Sequence, residues 1–176
     1  MAANATITQR INDVDIQTVA ALAGAIQTEP EVAVTTWTAS VVWKRGFASE
    51  AKVREFAPVQ SDEPITLGGG DTAANPVEQL LGALGNCLAV GYAANATGLG
   101  IEISDLSIDL EGDLDLHTFL GLNPNGNAGY DAIRVSVALD YDATPEQLTQ
   151  LHQLVVGTSP VGHTLSRAVP VQIDLV

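Results

Sequence analysis

The chain carries one cysteine, Cys87, and three histidines, His117, His152 and His163, and these bound its covalent chemistry. A thiol reacts as its thiolate, so a reactive Cys87 needs positive charge or a helix N-terminus to bring its pKa down from about 8.5. Its redox cycle would pass through a sulfenic acid that an external thiol reduces. The alternative is a small buried hydrophobe, a common use of free cysteine. One cysteine excludes an intramolecular disulfide and the multi-cysteine zinc patterns. Ser159, followed by Pro160, reads as a helix cap, and as a nucleophile it would need a base. His163 lies one helical turn beyond it. His117 and His152 have no mutual spacing typical of metal ligands, and Asp113 and Asp115 complete no calcium or zinc pattern, so solvated loop positions are expected for both histidines.

The element that must position Cys87 is a long helix. Asn75 is a good N-cap, Pro76 suits the first helical position and Glu78 stands where a capping box places its acid, so the helix should start at Pro76 and Glu78 should serve as a cap. Val77, Leu80, Leu81, Leu84, Cys87, Leu88 and Val90 recur at helical spacing, and a helix apolar nearly all round should be buried. Gly82, Gly85 and Gly91 each cost about 1 kcal/mol against alanine in a helix interior, which calls for a close neighbour. Gly98 and Gly100 place the end near Thr97. Gly68 to Gly70 precede the helix without the lysine of a phosphate-binding loop, so a tight, mobile turn at the mouth of the site is expected.

Ahead of this, Asp15 can cap an amphipathic helix through Ile16, Val19, Leu22 and Ile26. Val32 to Trp43 and Phe47 to Phe56 read as a hairpin turning at Arg45-Gly46, and SDEPITLGGGD reads as loop. After the helix come a strand from Ile101 to Leu110, a long irregular connection, and a half-buried strand over Ile133, Val135, Val137 and Leu139. Thr144, Pro145 and Gln147 start a further helix that Gly157 ends, Ser159 starts a short one, and VPVQIDLV closes as a strand. Trp37, Trp43, Tyr92 and Phe119 are expected in the core or in dimer contacts. Helices and strands that do not alternate regularly favour an α+β class. A chain of 176 residues suits one domain, and a net charge of −14 repels phosphate backbones and anionic lipid. Neither nucleic acid nor membrane is an expected partner. The opening MAANATITQR has no charged segment leading into an apolar one, and the expectation is a soluble, cytoplasmic protein.

Three blocks together resemble the OsmC/Ohr group of osmotically induced and organic-hydroperoxide-resistance proteins. These are GGGDTAANP leading into VEQLLGALGNC, then EGDLDLHTFLGL, and the late TSPV. The resemblance runs from about Val32 to the C-terminus. It implies an OsmC-like two-layer α+β fold, an intertwined homodimer, and a site at the subunit interface beside the cysteine helix. Residues 1–30 then form an N-terminal helical extension and 31–176 a single domain. Family members reduce organic hydroperoxides with a cysteine pair, an arginine that holds the thiolate and a glutamate that holds the arginine. Cys87 occupies the reactive position and Ser159 the second-cysteine position, where no disulfide can form. The glutamate position is Val77, about 80° from Cys87 round the helix, while Glu78 lies about 180° away. Arg45 and Arg54 are the arginine candidates, and Arg45 is nearer where the family arginine falls. The family sets the Ser159 helix beside the cysteine, which would let His163 approach Cys87.

The expected function is thiol-dependent reduction of a small apolar hydroperoxide by Cys87, with Arg45, Ser159 and His163 at the site, an external thiol as reductant, and neither cofactor nor metal. One alternative is a non-peroxidatic relative whose cavity binds a small apolar ligand. Another is a Cys87–His163 hydrolase.

Overall fold

The computed structural model describes residues 10–175; the first nine residues of the expected extension and Val176, the last residue of the expected terminal strand, lie outside them. The chain divides into two compact units, Ala20–Gly82 and Met1–Val19 with Ala83–Val176. No helix among the described residues is long and apolar enough to cross a membrane.

In the Ala20–Gly82 unit the expected hairpin forms from β1 (Ser40–Arg45) and β2 (Ala48–Lys52), with Gly46 at positive φ in the turn. It is shorter than expected at both strands; Pro30–Ala33 forms a 3-10 turn, proline being suited to a first helical position, and residues 34–39 join no ladder. A third antiparallel strand, β3 (Val59–Ser61), gives the order β1-β2-β3. Three residues after a proline are too few for an alternation signal. Trp37 and Trp43 are 80% and 70% exposed, so within this chain neither is a core residue.

The glycine turn is tied rather than loose. The buried Asp62 carboxylate accepts hydrogen bonds from the Thr72 hydroxyl (2.8 Å) and from the backbone N–H groups of Glu63 (2.9 Å), Gly70 (3.1 Å) and Thr72 (3.3 Å). A Cβ on Gly69 would lie 1.8 Å from the Glu63 carbonyl oxygen, so only glycine lets the chain pass there.

The central helix, α2 (Pro76–Leu99), starts as expected. Asn75 Oδ1 accepts from Glu78 N–H at 2.9 Å, and the Glu78 carboxylate accepts from Asn75 N–H at 2.8 Å. In the second unit α2 packs with α4 (Pro145–Thr158) and a two-stranded antiparallel ribbon of β4 (Ile103–Leu114) and β5 (Tyr130–Tyr141). The ribbon faces the helices with Leu106, Ile108, Leu110 and their partners Leu139 and Val137, while Asp105, Ser107 and Asp109 point to solvent. The core is Leu84, Leu88, Tyr92, Ala96, Ile101, Leu151 and Val155. Of the three α2 glycines expected to have close neighbours, two do. A Cβ on Gly85 would meet a Leu110 methyl at 2.8 Å and one on Gly91 a Val155 methyl at 3.0 Å, whereas Gly82 has nothing within 4 Å.

Ahead of α1 (Ile16–Thr28), which Asp15 caps through Thr18 N–H, the segment is sewn to the end of α2 by Asn12. Its amide donates to Thr97 Oγ1 and the Ile101 carbonyl and accepts from Ile103 N–H. The connection after β4 contains one short helix, α3 (Leu116–Phe119), where Phe119 is exposed and the Asp115 carboxylate binds His117 Nδ1. VPVQIDLV is not a strand among the described residues. Its alternation is real, with Val171, Ile173 and Leu175 exposed and Gln172 bonded to Asp174, but alternation without a ladder partner makes no strand.

The Thr72 hydroxyl, followed by Glu63 N–H, holds the Asp62 carboxyl below its ordinary value. A depressed carboxyl contributes stability that is present above the unfolded-state value of about pH 4 and lost as pH falls through the folded one. Asp62→Asn should therefore lower the urea midpoint at pH 7 and flatten its decline between pH 5 and about pH 3. An unchanged midpoint and an unchanged pH slope would contradict this role.

Candidate functional site

Cys87 sits in the middle of α2 and Ser159 in the break between two helices. The α4 helix does not stop at Gly157 but runs to Thr158. Pro160 then biases the residue before it out of helical geometry, and Ser159 adopts φ −69°, ψ 112°. The following helix, α5 (Pro160–Leu165), is capped by Ser159 Oγ, which accepts from Gly162 N–H at 3.1 Å. The same hydroxyl lies 3.3 Å from Cys87 Sγ. With its oxygen already accepting from Gly162, the hydroxyl has its own hydrogen free for the sulfur. Ser159 is only 5% exposed, so this contact is shielded from water.

Beside the contact is a cavity of about 560 Å³. Its α2 wall is Leu84, Leu88 and Tyr92, one helical face at i, i+4 and i+8, and its β5 wall is Ile133, Val135 and Val137. The third wall, from α4 and α5, carries the polar groups His152, Ser159, His163 and Ser166. The Tyr92 hydroxyl and His152 Nδ1 are 2.5 Å apart, and burial pushes the Tyr92 phenol up from its ordinary pKa. His163 donates its backbone N–H to the Ser159 carbonyl, 2.9 Å away. Among the described residues no hydrogen bond joins its ring to Cys87, whose sulfur is engaged by Ser159.

Of the four expected site residues, Cys87 on α2, Ser159 at the α4–α5 break and His163 on α5 belong to one unit, while Arg45 stands at the exposed end of β1 in the other. Arg54 stacks over the Phe56 ring, 4.5 Å from its centroid. Among the described residues no three side chains of metal-ligating type converge. His152, expected at a solvated loop position, is exposed as expected but lies on the helix α4 and lines the cavity. A signal existed in the spacing: His152, Val156, Ser159 and His163 follow at intervals of four, three and four residues, one face of a helical path. Tyr92, 60 residues before His152, had no signal beyond its apolar neighbours.

An α+β chain whose single cysteine lies on a long helix that walls one side of a cavity defines a class rather than an activity. The family described as OsmC-like protein matches residues 68–174, more than half the chain, and the protein belongs to that family. By sequence, no curated protein matches it. Among solved structures it is similar to an OsmC-like protein of Mycoplasma pneumoniae, at 18% identity over 75% of this chain and 88% of that one, with a TM-score of 0.64. An organic hydroperoxide resistance protein of Legionella pneumophila is 16% identical over 75% and 91%, with a TM-score of 0.52. Another, from Elizabethkingia anophelis, is 16% identical over 73% and 88%, with a TM-score of 0.53. At such identities the likeness is one of fold.

Removing the Ser159 hydroxyl strips α5 of its cap and leaves Gly162 N–H without its acceptor. Ser159→Ala should cost about 1 kcal/mol of stability, read as a lowered urea midpoint. A midpoint equal to that of the parent protein would contradict the capping geometry.

Proposed function

We propose that this protein is a cytoplasmic thiol peroxidase, acting as a homodimer, that reduces apolar organic hydroperoxides at Cys87 and is reset by an external thiol. The observation that carries this reading is the 3.3 Å contact between Cys87 Sγ and a shielded serine hydroxyl, at the side of a cavity with two apolar walls. The Ser159 hydroxyl fixes the position of the sulfur, and the apolar walls of the cavity select the alkyl part of a hydroperoxide. Family membership and the names of the Legionella and Elizabethkingia proteins point the same way. The sulfenic acid formed on Cys87 has no second cysteine to condense with, so an external thiol must complete the cycle.

Of the two arginines offered by the resemblance, Arg45 is the proposed cation for the thiolate, because it lies nearer where the family arginine falls. Pairing with a second copy is supported by the apolar surface this chain leaves open: Val41 is 68%, Trp43 70% and Trp37 80% exposed. Exposed apolar surface of that kind marks association. A second reading, an apolar-ligand binder with Cys87 at the margin, draws support from the same cavity. Hydrolysis by a Cys87–His163 pair draws none, because the sulfur's hydrogen bond goes to Ser159.

Consumption of cumene hydroperoxide with dihydrolipoamide as reductant tests the first reading. The protein should turn over, and Cys87→Ser should reduce the rate to that of the uncatalysed reaction. No turnover by the unsubstituted protein, or full turnover by Cys87→Ser, would reject it.

A further inference from the structure

Reduction of a hydroperoxide at Cys87 leaves a proton unaccounted for. The thiolate attacks the terminal oxygen, the S–O bond forms, and the O–O bond breaks with its electron pair going to the oxygen that carries the alkyl group. Sulfur is oxidised by two electrons to the sulfenic acid, which keeps the terminal O–H, and the peroxide is reduced to an alkoxide. An alkoxide is a strong base, and its departure is slow unless a positioned acid protonates it.

Three titratable side chains line the cavity: Tyr92, His152 and His163. Tyr92 and His152 are paired with each other, phenol to Nδ1, at 2.5 Å. Among the described residues, His163 makes no side-chain hydrogen bond or ion pair, and it is half-buried rather than free in solvent. Its position follows from the backbone. Ser159 caps α5 and turns its hydroxyl to Cys87; four residues later a helix brings a side chain back to the same side. Gly162, between them, adds no side chain, and a Cβ there would lie 3.0 Å from Ser159 Oγ.

We propose that His163 is the general acid of the reaction: its ring gives a proton to the departing alkoxide, yielding the alcohol, and regains one from solvent. This rests on the thiol peroxidase reading and assigns a role within it. It predicts a dependence on the leaving group that a merely structural residue would not produce. An alkoxide needs the proton, whereas the carboxylate released from a peroxy acid does not.

The test is single-turnover oxidation of Cys87, followed by thiol titration of quenched samples, with tert-butyl hydroperoxide and with peroxyacetic acid. His163→Gln should slow oxidation by tert-butyl hydroperoxide about 100-fold and leave the peroxyacetic acid rate within about threefold. Equal slowing with both reagents, or no slowing with either, would overturn the assignment while the peroxidase reading stood. If Cys87 of the unsubstituted protein resists both reagents, the reading falls and the assignment falls with it.

Discussion

Everything proposed for Cys87 depends on how closely α2 is held to the α4–α5 break. The spacing is set by small residues on both sides. Gly91 of α2 leaves room for Val155, which is 1% exposed, and Gly162 leaves room for the Ser159 hydroxyl. A bulkier residue at either position would have to push its neighbour, and close-packed interiors transmit such shifts. Pro160 adds the other constraint. By turning Ser159 out of helical geometry, it converts one long helix into two and aims a hydroxyl at the sulfur from the break.

The cavity inherits its polarity from the same arrangement. The β5 residues Ile133, Val135 and Val137 make one wall without titratable groups and the α2 wall adds only the Tyr92 phenol to Leu84 and Leu88, while the α4–α5 side supplies the imidazoles and serine hydroxyls. Hydrogen bonds in such surroundings are stronger than in water, and polar groups left unpaired are costlier. Tyr92 is a case of this. Its buried hydroxyl is partnered by His152, so the apolar face of α2 can carry a phenol into the core.

Much of the fold was legible because local chemistry agreed with it. The caps at Asn75, Thr144 and Ser159 formed as their residue types imply, and the Thr144–Gln147 box is complete. The alternation of Leu106, Ile108 and Leu110 marked β4, and the register with β5 followed. What could not be read had its cause elsewhere in the chain. Asp62 looked like a loop acid because its donors at Gly70 and Thr72 lie eight and ten residues on. The terminal VPVQIDLV alternates like a strand, yet pairing and not periodicity decides strand formation. His152 was legible from its spacing to Val156, Ser159 and His163, but only if the helical path is carried across the break at Ser159. The Cys87–Ser159 approach spans 72 residues, and only the resemblance to a family suggested it.

The contact itself can be trapped. In Ser159→Cys the two sulfurs would face each other across the present hydrogen bond, close enough for a disulfide after small side-chain rotation. Mild oxidation of the folded protein, with peptide mapping by mass spectrometry, should give one intrachain disulfide between positions 87 and 159 and no remaining free thiol. Two free thiols in oxidised, folded protein, or bridges formed only between chains, would contradict the account at its centre.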